Sequence, residues 1–263
     1  MTRGSLLYHS RRKVNMFYSQ FGEDKILFKI FQRKTYGVCV EVGANNGVDD
    51  STSLFFEKIG WKCILVEPDP SLCQKIREVR KSLLYESAAS NRNDISILHV
   101  AEGTARSNGL STISTNKEEH DRIKNLGFTT RPVRVQTTTL DNILIDAQVN
   151  SGIDFVSIDV EGHEHEVLEG FSLMKWKPTI MLIEDNSNFA SDVIRNYLNK
   201  FGYVRFRRTG VNDWYAHLTN TRLVNTRSHV RVILSAFLIK IKIKLLKIPL
   251  ILKIRNFFIV KGG

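Results

Sequence analysis

Cysteine is sparse in this 263-residue chain. Cys39, Cys63 and Cys73 are the three, with no Cys-x-x-Cys pair and no Cys/His spacing of a metal-ligand set. That excludes a disulfide scaffold and a zinc site of the usual spacing. Cys39 and Cys63 fall in apolar runs, where a thiol packs as a small core residue, so a reduced, cytoplasmic setting is expected. No run of 18 uncharged apolar residues occurs, so no spanning helix is expected. The first residues carry Arg3, Arg11, Arg12 and Lys13 without an apolar stretch, which does not read as a secretory signal. There is no internal repeat.

Acids are missing after Asp213, where ten Lys/Arg follow with no Asp or Glu. The whole chain holds 38 Lys/Arg against 27 Asp/Glu, a net charge of +11, so residues up to Asp213 keep 28 basic against 27 acidic side chains. The body is nearly neutral and the basicity belongs to a tail. This argues against a nucleic-acid partner, which needs a basic surface on the body itself. No Asn/Asp-Pro-Pro-aromatic motif for a flipped base occurs either. Three segments follow: a basic lead (1–18), a body (19–220) and a basic, apolar tail (221–263).

Along the body, apolar strand patterns at 38–42, 61–66, 83–85, 95–100, 133–139, 155–158 and 179–183 alternate with helical ones at about 51–58, 71–80, 140–147, 163–170 and 191–200. An earlier helix runs from Ser19 to about Arg33. Such alternation predicts a parallel sheet with helices on both faces. Strands at 203–208 and 213–218, joined at Thr209-Gly210, predict a closing hairpin with an antiparallel last strand. Residues 101–131 are rich in Gly, Ser, Thr and Asn and lack periodicity, and are expected to form a substrate lid.

The chemistry lies at the strand ends. Val38 to Val42 runs into the loop Gly43-Ala44-Asn45-Asn46-Gly47, and the next apolar strand ends at Glu67. A Gly-containing strand-to-helix turn followed by an acid about twenty residues on suits a nucleoside cofactor, with the acid on its ribose diol. The loop is neither G-x-G-x-x-G nor a P-loop. Glu41, just before the first Gly, would repel a pyrophosphate and suits a sulfonium or ammonium charge. S-adenosylmethionine is favoured over NAD. Later strands end at Asp159 and at Glu184-Asp185.

Glu41 to Gly47, Val66-Glu67-Pro68-Asp69-Pro70, and Ile158-Asp159-Val160-Glu161-Gly162-His163-Glu164 with Val167-Leu168-Glu169-Gly170 resemble the FkbM family of S-adenosylmethionine-dependent methyltransferases. Ser19-Gln20-Phe21-Gly22-Glu23-Asp24-Lys25 resembles the opening segment of many members. The resemblance covers residues 17 to 218. It implies an α/β Rossmann-like, seven-stranded methyltransferase fold and O-methyl transfer to a saccharide or small metabolite. On that basis Glu41 would face the cofactor's sulfonium or amino group, with Gly43, Asn45 and Gly47 lining its approach. Glu67 would bind the ribose hydroxyls. Asp69 would cap the next helix or touch the cofactor, and Ser87 and Ala88 would border the adenine.

Asp159, Glu161 and His163 form the expected catalytic cluster. A hydroxyl acceptor has to be aligned and deprotonated, and His163 has the right ordinary pKa for a base; the alternative for His163 is a solvent-facing helix start. Asp159, Glu184 and Asp185 could instead hold Mg²⁺ through oxygen ligands. Two rival readings of the whole chain are a nucleic-acid methyltransferase or binding protein, and an inactive membrane-associated scaffold. The tail over 229–263, mixing Lys with Ile, Leu and Phe and interrupted by Pro249, suits an anionic membrane surface. Its other reading is a terminal helix packed on the body or on a partner subunit.

Overall fold

A computed structural model describes residues 17–103, 110–113, 117–150, 152–187 and 189–246. In chain order the elements are α1 (Glu23–Ile30), β1 (Val38–Val42), α2 (Leu54–Lys58), β2 (Lys62–Val66), α3 (Pro70–Val79), β3 (Leu83–Tyr85), β4 (Ala88–Ala89) and β5 (Asp94–Glu102). There follow α4 (Lys117–Asn125), β6 (Thr129–Thr138), α5 (Leu140–Asp146), β7 (Phe155–Ile158), α6 (Glu164–Glu169), α7 (Leu173–Trp176), β8 (Ile180–Glu184), α8 (Val193–Asn199), β9 (Tyr203–Thr209), β10 (Asn212–His217) and α9 (Thr226–Leu246).

Seven strands form one sheet in the order β3-β2-β1-β7-β8-β10-β9. The pairs β3–β2, β2–β1, β1–β7 and β7–β8 are parallel, and β10 runs antiparallel between β8 and β9. This is the Rossmann-like α/β arrangement expected, with the predicted hairpin at one edge. The strand order reverses between β1 and β7, which leaves a crevice outside their carboxyl ends.

The strands are apolar on both sides because both sides are covered. Along β8, Ile180 and Leu182 enter one core while Met181 and Ile183 enter the other. Cys39 of β1, Cys63 of β2 and Phe155 of β7 share the first core with Leu27, Phe55, Phe56 and Trp61. Phe56 and Phe155 pack with ring centroids 4.9 Å apart. Val40, Ile64 and Val156, one residue further on, face the second core with Leu140, Leu144, Val167 and Leu168.

Three features depart from the sequence-based expectation. The strands at 95–100 and 133–139 do not join the main sheet. β5 and β6 are longer than predicted and pair antiparallel from Asp94–Thr137 to Glu102–Thr129, with β4 beside β6 in a separate three-stranded sheet. Nine consecutive pairings satisfy their backbones locally, so they need no place in the large sheet. Residues 101–131 therefore end one strand, contain α4 and begin another. Finally, α2 starts three residues later than predicted, because Ser51, Thr52 and Ser53 are drawn inward by Glu41.

The opening segment binds the two ends of the body together. Ser19 and Asp24 bond reciprocally, Ser19 Oγ donating to Asp24 Oδ1 at 2.7 Å and Asp24 N to Ser19 Oγ at 3.1 Å. Glu23 Oε1 accepts from Thr209 Oγ1 (2.6 Å) and Asn212 Nδ2 (3.1 Å) of the final hairpin. Much of the expected tail is α9, packed along β9. The remainder, 247–263, and residues 1–16 of the expected lead lie outside the described residues.

At the crevice, Gly43 has φ +82°, and a Cβ added there would lie 1.8 Å from the carbonyl oxygen of Asp159. The ends of β1 and β7 approach this closely only because residue 43 has no side chain. Gly43→Ala combines a strained φ with a backbone clash, each on the order of 1–3 kcal/mol. It should lower the melting temperature by many degrees or abolish soluble expression. Gly152→Ala, where an added Cβ meets nothing within 4 Å, is the control and should leave the melt unchanged. Equal melts for the two variants would refute the close-approach account.

Candidate active site

The carboxyl ends of β1, β2, β7 and β8 open on one cavity of about 930 Å³. Its walls include Glu41, Gly43, Asn45, Glu67, Ser87, Ala88, Asp159, Glu161, His163 and Glu184. The structure thus brings together nearly all the residues singled out in the sequence. Gly47 sits at the end of the loop rather than on the wall, and Asp69 and Asp185 are turned to other work. Asp69 caps α3, accepting Ser71 N–H at 2.8 Å. Asp185 Oδ2 accepts from Arg208 Nη1 at 3.1 Å and its Oδ1 from Ser187 N at 2.8 Å. The expected trio of Asp159, Glu184 and Asp185 does not form. Asp159, Glu161 and Glu184 instead place one oxygen each within 4.8 Å of one another. Asp185 follows the end of β8 and its side chain is held by the hairpin arginine.

Glu41 lines the cavity, but its carboxylate is used by the protein. Oε2 accepts from Ser51 Oγ (2.8 Å) and Ser53 Oγ (2.5 Å), and Oε1 from Thr52 N (2.6 Å). Its main work is to wind the loop. Arg80, at the end of α3, completes this arrangement from inside. It donates to Gly47 O (2.7 Å), Ser51 Oγ (3.2 Å), Ser53 Oγ (2.8 Å) and Glu57 Oε2 (2.9 Å). Its side chain is fully buried. Nothing in local sequence marks an arginine at a helix end as buried.

Glu67 is better placed for a ligand. Oε2 accepts Asn45 N–H and Oε1 accepts Asp69 N–H, both at 2.9 Å. One contact on each oxygen leaves lone pairs for a diol. Burial raises its pKa to about 8, against the pull of those two N–H groups. Two buried polar atoms on the cavity residues have no hydrogen-bond partner among the described residues, Asn45 Oδ1 and Ser87 Oγ.

The second group hangs from the turn after β7. Glu161 takes φ +53° and Gly162 φ +92°. Glu164 holds this turn by accepting from Gly162 N at 3.1 Å and Val160 N at 3.3 Å. Its burial raises its pKa to about 7. Asp159 is exposed where it lines the cavity, although the acids and backbone around it crowd its carboxylate. Burial raises its pKa to about 6, opposed by a hydrogen bond with Glu184 and by Arg122. Burial and then Asp159 push Glu184 well above the usual carboxylate range. Two carboxylates this close cannot both ionise cheaply, which is why each is held above its ordinary range.

Segment 101–131 reaches the site. Arg122 of α4 forms an ion pair with Glu161, and Thr112 Oγ1 donates to the Glu161 carbonyl at 2.7 Å. Leu110, Ser111 and Ile113 line the cavity. The segment expected to form a lid thus borders the cavity, with Arg122 as a contact that its composition did not mark. His163 is half-buried with Nε2 3.0 Å from Ser90 Oγ, and burial lowers its pKa while Glu166 opposes. It is not the solvent-facing residue of the alternative reading.

Residues 41–205, more than half of the chain, match the methyltransferase FkbM domain. The chain belongs to the FkbM methyltransferase family. The site just described falls within the matched span. Among solved structures, the methyltransferase FkbM of Methylobacillus flagellatus KT is similar at 14% identity with a TM-score of 0.46. That alignment covers 70% of this chain and 44% of the other, so this chain spans less than half of that relative's length. A Pyrococcus horikoshii protein proposed to be an RNA methyltransferase is similar at 10% identity with a TM-score of 0.36, over 74% of this chain and 81% of the other. At such values membership rests on the domain match. No curated protein matches the chain.

The buried acids set a pH dependence of stability. The folded pKa of Glu67, about 8, stands above its ordinary 4.5, so folding takes up a proton there. The stability this supplies is complete below about pH 4.5 and is lost as pH rises through 8. Asp159 and Glu164 add losses through about 6 and 7. The melting temperature should therefore fall from about pH 4.5 to about pH 8 and level off above, and Glu67→Gln should flatten the upper part of that fall. Parallel curves for the two proteins would show that Glu67 does not titrate there.

Proposed function

We propose that this methyltransferase takes S-adenosylmethionine as donor and a hydroxyl of a saccharide or small metabolite as acceptor. The observation that carries this reading is the polar lining at the ends of β1 and β2. Glu67 has lone pairs to spare, and Asn45 Oδ1 and Ser87 Oγ are buried on the same cavity without partners among the described residues. An unpaired buried polar atom costs roughly 1–3 kcal/mol, which a hydrogen-bonding nucleoside would recover. Glu67 would hold the ribose hydroxyls, while Ser87 and Ala88 would border the base. The volume, at the upper end of the roughly 300–1,000 Å³ of ligand pockets, supports donor and acceptor sharing one cavity.

Bound there, the cofactor supplies an already activated methyl group. The chain then has to align a hydroxyl and remove its proton. Asp159, with its carboxylate on the cavity, would orient the acceptor. His163, on the cavity wall with its pKa lowered by burial, would take the proton on exchanging one of its present partners for the acceptor. Arg122 holds Glu161 and brings α4 across the acceptor side, where water would be excluded.

A second reading adds Mg²⁺ at Asp159, Glu161 and Glu184, favoured by their three convergent oxygens. The ion would compete with Arg122 for Glu161 and would favour the ionised forms of Asp159 and Glu184.

Calorimetry with S-adenosylmethionine tests the donor site. Glu67→Ala should weaken binding by about 1–3 kcal/mol, the cost of leaving buried hydrogen-bonding partners unmatched. Unchanged affinity in a folded variant would remove the ribose assignment. Asp159→Asn should bind the donor as before while turnover onto a glycan or metabolite acceptor falls roughly 10²-fold or more; undiminished turnover would remove Asp159 from the chemistry. A chelator should leave activity intact if the arginine-paired site is complete, and loss of activity restored by Mg²⁺ would establish the second reading.

A further inference from the structure

α9 has two apolar faces, and the body uses only one. Ser228 is buried, and Val232, Ser235, Ala236 and Ile239 are half-buried along the side packed on β9. Val230, Ile233, Leu234, Phe237, Leu238 and Ile241 stand on the opposite side. Ile233 is 67% exposed, Phe237 61% and Leu238 63%. Their spacing of three and four residues makes one continuous outward stripe. Monomeric soluble surfaces rarely leave such a patch uncovered.

The charges beside the stripe indicate what covers it. By helical position Arg227 and Arg231 lie along one border, and Lys240, Lys242 and Lys244 continue the helix. No acid follows Asp213 anywhere in the chain. Arg231 also stands near Arg207 of β9, close enough to weaken that residue's hold on its proton, though burial does more. Neither Arg207 nor Arg231 has an ion pair among the described residues. Crowded, unpaired cations beside an apolar stripe match an anionic surface with an apolar interior. Among the described residues no helix is long and apolar enough to cross a membrane.

We propose that α9 lies flat on an anionic membrane surface, its outward stripe in the headgroup–acyl boundary and its arginines and lysines on lipid phosphates. An apolar face with basic residues at its borders is the pattern of an interfacial helix. A second copy of the chain would bring the same positive charge to the same place and would have to overcome its repulsion. The anchor lies on an edge of the sheet and needs no residue of the cavity.

The test is co-sedimentation of the full chain with vesicles, alongside analytical ultracentrifugation without lipid. Binding is expected to phosphatidylcholine vesicles containing phosphatidylserine, to weaken as salt rises, and to be absent from phosphatidylcholine alone. The variant I233E/F237E changes exposed side chains, so its melting temperature should stay put while vesicle affinity falls at least about tenfold. R227S/R231S should lower affinity about thirtyfold, from about 1 kcal/mol per basic residue near such a surface. Failure of the full chain to bind either vesicle overturns the proposal. So does a dimer that I233E/F237E dissociates without any change in lipid binding, since a second copy would then be the cover.

Discussion

Glu41 stands near the end of β1, buried except where it borders the cavity, so its carboxylate is largely withdrawn from water. A charge in that position has to be satisfied by the chain itself. Ser51, Thr52 and Ser53 do so, and they can reach it only if the loop from Gly43 folds back over the end of the strand. Arg80 then fastens Gly47, Ser51, Ser53 and Glu57 from below. The wall of the cavity is thus wound around one buried acid and one buried guanidinium. Removing either would leave the other's partners buried and unmatched, which is far more damaging than loss of a surface ion pair.

The same cavity gathers more acids than stability alone would favour. Glu67, Asp159, Glu164 and Glu184 are all held above their ordinary pKa by burial. Glu161 adds a left-handed backbone. Not all of this is for chemistry. Glu164 closes the turn that presents Glu161, and Glu41 winds the loop. Glu67 and Asp159 are the two whose remaining capacity points into the cavity, and perturbed groups of that kind cluster at functional sites. The small β4–β6–β5 sheet has a place in this too. It anchors the two ends of 101–131, so that Thr112 and Arg122 reach Glu161 from outside the main sheet.

Much of this protein was legible along the chain. Strands buried on both faces read as short apolar runs, and the two-residue alternation of side chains assigns each position to one of two cores. Helix and strand alternate at lengths that only a parallel sheet accommodates, and Thr209-Gly210 between two short strands means a hairpin. Acids repeated at strand ends mark the crevice, because side chains there share one rim whatever their separation in sequence. Those are local periodicities and strand-end positions, and each survives folding unchanged.

Tertiary structure alone decided which of those acids face a ligand. Glu41 and Glu67 look equivalent in sequence, yet the first meets the hydroxyls of Ser51 and Ser53 and the second keeps free lone pairs. Asp185 looked like a third acid of the site until Arg208, from a strand more than twenty residues on, took its carboxylate. Arg80 and Arg122 entered the site from a helix end and from a segment with no periodicity. The long antiparallel pairing of β5 with β6 left the main sheet because a local partner was available. Pattern along a chain records which side chains must be buried. Which donor meets which acceptor depends on elements brought together from distant parts of the chain, and hydrogen bonds and ion pairs act only over the few ångströms at which they then meet.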